Sequence, residues 1–492
     1  MVVGAGAAGL AAAIAAAGGR APVLLVERTA DGGRKILISG GGRCNVLPAT
    51  LAPERFVTDS PTHLLRAMLR AWPLPHMVRF FEHEVGVPLA LEADTGKLFP
   101  RSNRARDIRD GLVELASKRG VRLQFQTKVE SIDPTPSGWT IGTPAGAILA
   151  SRVIIATGGL SVPATGSDGV GLTIARALEH RIHDTYPALT PLTFEPGEAN
   201  RQTATSNATT PDGSTLPPAA DAGAGPSHPA THSAPSTLHP APNSADCTLH
   251  PAPGFLDPAL LSGLSLPVRL RARADGRTAE ASGGFLFTHR GYSGPAVLDI
   301  SHLCVRSEGR NRAHLRVAWT STSASEWEAR LLAGDRNVAS LIGGELPERL
   351  ALALMASADI PRNRRTSALT RAERLALVAR LTACALPWTG HEGYKKAEVT
   401  GGGVALDEVH LRSLESRHAR GLYLCGEILD AFGPIGGHNF AWAWATGRTA
   451  GSAARMESDR PGPRPLTIDD WRFIECLGVW GDRGIRIEAL GD

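Results

Sequence analysis

Three glycines near the start of the chain, Gly4, Gly6 and Gly9, stand in the spacing G-x-G-x-x-G within "MVVGAGAAGLAAAIAAAGG". The chemistry that such a spacing serves is phosphate binding. The first glycine permits a tight turn after a strand, the second lets backbone approach a pyrophosphate, and the third lets the next helix pack close to the sheet. Ala7 and Ala8 open that helix, whose free N–H groups and positive dipole end would face an anion. Eighteen residues after Gly9, Glu27 closes the apolar run "APVLLVE", and Arg28 follows it. A carboxylate at that point accepts from a ribose 2′-hydroxyl and repels a 2′-phosphate. The residues therefore predict a bound dinucleotide with a free ribose hydroxyl. One defect is visible: Met1–Val3 leave room for only a short first strand, where about five residues are usual, so a short or truncated strand is expected.

A second cluster, "GGRKILISGGGRCN" (Gly32–Asn45), is more specific. Its small residues, Ser39, Gly40, Gly41 and Gly42, let the backbone fold around a ligand and turn N–H groups toward it. This string resembles the BaiN-like family of bacterial flavoproteins, also described as aminoacetone-oxidase-family FAD-binding enzymes. The resemblance continues in "ATGG" (Ala156–Gly159), "PALTPL", "GGFLFTHRGYSGPAVL", "KKAEVTGGGVALDEV" and "GLYLCGEILDAFGPIGGHNFAWAWATGRTAG", and spans most of Met1–Arg455. It implies FAD as the dinucleotide. It carries Arg34, Lys35, Arg43, Cys44 and Asn45 of the second cluster to the cofactor site, together with Val129, Thr157, Gly158 and Gly159. It also implies that Gly426, Glu427 and Asp430 lie along the cofactor, with Glu427 against the ribityl hydroxyls. Gly436, Gly437, His438 and Asn439 would start a helix aimed at the flavin N1–C2=O edge, where negative charge collects on reduction.

The implied reaction is oxidoreduction. A hydride passes between flavin N5 and a small organic substrate or NAD(P)H, with oxygen or a second substrate as the other partner. Two activities suit the family: oxidation of a small aminoketone, or NAD(P)H-linked reduction of a steroid-like molecule. Catalytic candidates are His438, where a Tyr is expected, Arg43, which could orient a carboxylate or the flavin or make a structural ion pair, and Tyr292, with His289 beside it. Cys44 has no neighbouring second Cys, so it reads as a small buried residue near the flavin rather than a disulfide-exchange thiol. There is no second G-x-G-x-x-G after a strand, so NAD(P)H would bind only transiently as co-substrate. Alternatives are a tRNA-modifying flavoprotein of the GidA type and a flavin-binding redox module without turnover.

Positioning these residues requires alternating strands and helices. "APVLLVE" and "RVIIATGG" read as buried parallel strands, "AAGLAAAIAAA" and "RDIRDGLVELASKRG" as helices, and "GWTIG" and "GAILA" as a small meander. The fold class is α/β: a glutathione-reductase-like Rossmann FAD domain with an inserted β-rich domain and a helical subdomain. The expected boundaries are 1–185 and 393–455 for the two parts of the FAD domain, 186–320 for the β-rich insertion, 321–392 for the helices and 456–492 for a linker and tail. Within the insertion, 197–254 is rich in Pro, Ser, Thr, Ala and His, too poor in apolar residues to offset ordering, and is expected to be disordered.

The 492 residues carry 52 basic and 48 acidic side chains, a formal net charge of +4. With no dense basic block, no nucleic-acid partner is expected, and the substrate is a small molecule. No run of apolar residues is long enough to span a membrane, and no signal peptide is read at the start. The six cysteines match no zinc spacing, so no metal is expected and a reducing cytoplasm is the simplest setting.

Overall fold

The computed structural model describes residues 1–195, 256–307 and 312–459. The 197–254 segment and nearly all of 456–492 lie outside the described residues.

Short runs, mostly apolar, make a five-stranded parallel sheet, in the order Leu422–Leu424, Val153–Ile155, Val2–Val3, Leu24–Val26, Arg122–Gln124. The first strand is as short as its sequence allows, yet it holds a central place. Val2 pairs with Ile154 on one side and Leu25 on the other. Covering helices come from both ends of the chain. Ala7–Ala16 follows the first strand, Ala105–Lys118 buries Ile108 and Leu112, and His438–Asp459 comes last.

The first and last helices pack through small residues. A Cβ on Gly447 would stand 2.2 Å from the Ala8 carbonyl oxygen, and one on Gly451 would stand 2.1 Å from that of Ala12. Only glycine permits this approach. The pairing of 8 with 447 and 12 with 451 makes the two helices run in the same direction. The later helix begins nine residues before Gly447. Its N-terminus therefore projects roughly 12 Å beyond the start of the earlier one, at 1.5 Å per residue.

The predicted meander is present as Ser131–Thr135, Gly138–Thr143 and Gly146–Ala150. The inserted segment leaves and returns along an antiparallel pair, Ile182–Ala188 with Val399–Val404. It carries a seven-stranded antiparallel sheet whose long central strands are Ser265–Ala274 and Arg277–Thr288. Helix Pro295–Arg306 packs on that sheet. Four more helices lie between residues 324 and 383. Phe285, Phe287 and Trp319 share one apolar cluster with Trp327, Leu350 and Leu377 of those helices. Strands Cys384–Ala385 and Gly390–His391 then rejoin the sheet. The line read in sequence at 320/321 thus cuts through a common core.

Candidate functional site

The opening turn behaves as its glycines require. Gly4 sits at φ 101°, and its N–H donates to the Val26 carbonyl at 2.8 Å. A Cβ on Gly9 would fall 1.7 Å from the Gly4 oxygen, whereas one on Gly6 would meet nothing within 4 Å. Gly9 is therefore a packing glycine, and Gly6 faces open space. No side chain caps the helix that follows, so its first N–H groups stay available.

That space is a cavity of about 430 Å³, bordered by Gly4, Gly6, Ala7 and Ala8 and, from the far end of the chain, by Gly436, Gly437 and Asn439. Two helix N-termini, staggered along their common direction, thus meet one cavity. Its volume falls in the usual ~300–1,000 Å³ range for ligand and cofactor pockets. Glu27 borders it with both oxygens held. Oε2 accepts from Ala5 N at 2.8 Å, and Oε1 accepts from the Thr29 N and Oγ1, each at 2.8 Å.

The glycine cluster forms a turn in which Gly40, Gly41 and Gly42 take φ of 56°, 68° and 86°, a conformation that strongly favours glycine. Arg34, Lys35, Ser39, Gly40, Gly41 and Asn45 border the cavity, as do Thr157 and Gly158. Asn45 Oδ1 is buried with no hydrogen-bond partner. Lys35 Nζ donates to Glu427 Oε2 at 2.6 Å and to Ser161 Oγ. Glu427 Oε1 accepts from Thr400 N at 3.0 Å and Thr400 Oγ1 at 2.9 Å. Lys35 thereby neutralises a carboxylate at the cavity wall. An uncapped helix start, glycine-lined open space and an orphaned amide oxygen fit a long polar ligand with a diphosphate.

Further lining comes from the crossover strands and the insertion, through Leu189, Leu298 and Val399 with Lys396 and Glu398 among them, and from the loop before the last helix, through Phe432 and Ile435. Sequence reasoning missed these residues, although Lys396 and Glu398 lie in the quoted string "KKAEVT". Glu398 is open to the cavity, and no hydrogen bond to its carboxylate is found among the described residues. Crowding by the wall pushes its carboxyl above the usual range, partly offset by Lys35. Val162 and Leu189, both bordering the cavity, hold left-handed φ of 47° and 54°. Backbone strain of this kind concentrates at ligand sites.

Several predicted residues lie elsewhere. Tyr292 is fully buried in the core of the seven-stranded sheet, between Phe285 and Phe287, away from the cavity, because its strand pairs with Leu192 and Phe287. His289 is exposed on the adjacent turn. His438 starts its helix but is turned inward, edge-on to Phe56. Burial, reinforced by Arg55, lowers its pKa to about 4, so it is neutral at pH 7. Asp430 is also buried off the cavity; its Oδ2 accepts from Thr58 Oγ1, Asp59 N, Ser60 N and Ser60 Oγ, which ties residues 58–60 to the C-terminal part. Arg43 makes the structural ion pair, 3.0 Å from Glu92, and stacks 4.0 Å above Phe99. Cys44 is buried, and desolvation pushes its thiol up to about 12. Arg28, paired with Asp168, and Val129 border a small adjoining cavity of about 40 Å³. Gly42 serves the turn. Gly159 and Gly426 permit close packing, since added Cβ atoms would come within 2.4 Å of Thr400 Oγ1 and 2.7 Å of Ala8 Cβ.

A parallel Rossmann sheet with a cavity at its helix starts defines the class, and comparison with known proteins agrees. The family model described as the HI0933-like protein Rossmann domain matches residues 1–453. The chain belongs to the HI0933-like family, and is an FAD-dependent oxidoreductase. It is 29% identical over 449 residues to the ribosomal RNA dihydrouridine synthase of Escherichia coli, covering 91% of this chain and 95% of that one. It is 27% identical over 475 residues to the 3-dehydro-bile acid delta(4,6)-reductase of Clostridium scindens, covering 94% and 99%. Among solved structures it is similar to the 3-ketosteroid-delta4-(5alpha)-dehydrogenase of Rhodococcus jostii, at 15% identity and a TM-score of 0.41, covering 92% and 96%. The expectation that no nucleic acid is involved finds no support here, since a relative over nearly the whole chain is named for an RNA modification. Among the described residues, no helix is long and apolar enough to cross a membrane.

Proposed function

We propose that this chain is an FAD-dependent reductase of a carbon–carbon double bond conjugated to a carbonyl, with the uracil ring of RNA as its substrate and NAD(P)H as reductant. The observation that carries the reading is the part of the cavity lined by the apolar Leu189, Leu298, Val399 and Phe432 together with the carboxylate of Glu398 and with Lys396. Support comes from the relatives. A dihydrouridine synthase and a delta(4,6)-reductase, as their names say, share one chemistry, saturation of an activated double bond.

When bound, FAD supplies the hydride. Gly6, Ala7 and Ala8 would hold its diphosphate, Glu27 its ribose, and Gly437 and Asn439 its flavin end. Hydride addition to the carbon β to a carbonyl builds negative charge on the carbonyl oxygen, and the α carbon then needs a proton. The positive end of helix His438–Asp459 and Lys396 stabilise the charge. Glu398 delivers the proton; desolvation raises its carboxyl above the usual carboxylate range, with Lys35 opposing the shift, which favours proton donation. Leu189, Leu298, Phe432 and Ile435 exclude water.

A second reading, reduction of a small enone, is favoured by the 99% coverage of the bile-acid reductase. One anaerobic experiment tests both. FAD-loaded protein is reduced with NADPH and mixed with uridine-containing RNA or with a 3-oxo-Δ4 steroid, and flavin reoxidation is followed by absorbance and the product by mass. Uridine gaining two hydrogens supports the first reading. If neither compound reoxidises the flavin faster than buffer, the reductase proposal is wrong.

A further inference from the structure

Among the described residues, the seven-stranded sheet is covered on one face only. Leu266, Val268 and Leu270 point into the covered face, where a Cβ on Gly283 would stand 3.5 Å from Pro295 of the packing helix. The alternate residues are exposed, and three in succession are Arg269, Arg271 and Arg273. Arg316 on the neighbouring strand lies directly opposite Arg271, and His314 opposite Arg273. On the other side stand Ser282, Glu280 and Thr278. Four guanidinium groups share the face with one carboxylate, Glu280, which pairs with Arg271 at 2.8 Å. Asp275 lies beyond it, in the hairpin turn. Among the described residues no acidic partner is found for Arg269, Arg273 or Arg316.

Like charges set directly opposite each other destabilise a sheet, so stability alone would not place Arg316 against Arg271. The spacing is regular, about 6.8 Å along the strand and 4.8 Å across it. Arginine is the side chain suited to two-point contact with phosphate. Among the described residues this face carries no Phe, Tyr or Trp, the rings best suited to base stacking, and His314 is its one imidazole.

We infer that this face is a docking surface for the phosphate backbone of RNA, holding it without regard to sequence. The inference rests on the RNA reading above. Helix Pro295–Arg306 lies between the two sites, with Val297 and Ile300 in the core of the sheet and Leu298 at the cavity wall. The arginines therefore anchor RNA at a distance from the reacting base, and they govern the binding of long RNA rather than the chemical step.

The test uses full-length, FAD-loaded protein and a variant with Arg269→Ser, Arg273→Ser and Arg316→Ser. The probes are a fluorescent uridine-containing RNA hairpin, a uridine trinucleotide and vesicles rich in phosphatidylserine. An unchanged melting midpoint establishes that the variant is folded. Each arginine accounts for about 0.7–0.9 of the slope of log affinity against log salt, so the slope falls by about 2 to 3. A fourfold rise in salt then erodes the wild-type advantage by roughly 20- to 40-fold. KM for the hairpin rises, while kcat and the rate with the trinucleotide stay unchanged. The docking surface is overturned if the variant matches the wild type in slope and affinity, or if wild type binds the vesicles and not the hairpin at low salt. Wild type that binds the hairpin through these arginines without reducing it sustains the surface and removes the uracil reading. Wild type and variant that reduce the hairpin with the same KM remove the surface alone.

Discussion

Gly6→Ala separates cofactor binding from folding. An added Cβ meets no protein atom within 4 Å, and the backbone at φ −74° suits alanine. Alanine is a poorer N-cap than glycine by about 0.5–1 kcal/mol, and the stiffer unfolded chain returns about 0.4–1 kcal/mol. The stability of the apoprotein should therefore change by less than about 1 kcal/mol. The cofactor must feel the methyl, because it occupies the space a diphosphate needs. Losing one charge-assisted hydrogen bond costs about 1.5–3 kcal/mol, or roughly 10- to 100-fold in affinity. With FAD at 100 times the wild-type Kd, the wild type gains about 2.7 kcal/mol from ligand. A variant bound 100-fold more weakly gains only about 0.4 kcal/mol. Thermal melts with and without FAD, beside flavin absorbance of the purified protein, measure both. Gly6→Ala protein with wild-type FAD stabilisation would show that the diphosphate lies elsewhere.

Gly9→Ala should act in the opposite way, costing about 3 kcal/mol or more through overpacking against the Gly4 oxygen; the urea midpoint without FAD reads it. Glu398→Gln should slow substrate reduction by about 100-fold at neutral pH. In the wild type the rate should fall as pH rises through the raised pKa of this group, and stopped-flow pH profiles should show that limb vanish in the variant. His438 and His302 are both buried with pKa lowered to about 4. The unfolded chain takes up protons from about pH 6.5 downward and the folded chain only near 4, so stability is lost as pH falls across that window. Each contributes about 1.4 kcal/mol per pH unit. His438→Gln should flatten the pH dependence of unfolding between those limits, and an unchanged slope would contradict the inward orientation of the ring.

The cofactor half of the site was legible because its geometry demands particular residues. Gly4 and Gly9 have no tolerable replacement where they stand, and the Gly40–Gly42 turn needs φ values that glycine alone adopts freely. Such constraints leave a string. The substrate half was not legible. Leu189, Leu298 and Phe432 are ordinary apolar residues brought together by a crossover, an insertion and the loop before the last helix, with no local spacing to mark them. Tyr292 was misplaced because a polar aromatic in a glycine-rich stretch reads as a site residue, while its strand register sends it into the core. The arginine face escaped for a related reason. "RLRAR" is a mild run of charge until the strands pair and Arg316 arrives beside it.

The close seam of Gly447 and Gly451 against Ala8 and Ala12 also sets an order of events during synthesis. The first helix leaves the ribosome early, but its mate follows 439 residues later. At about 5–20 residues per second, the alanine side of the newborn helix waits on the order of 20 to 90 s for its cover. The insertion, with its separate apolar cluster, can consolidate in the interval. On the FAD placement proposed above, flavin capture waits until that helix has emerged, and a chain that stops short of it retains no flavin.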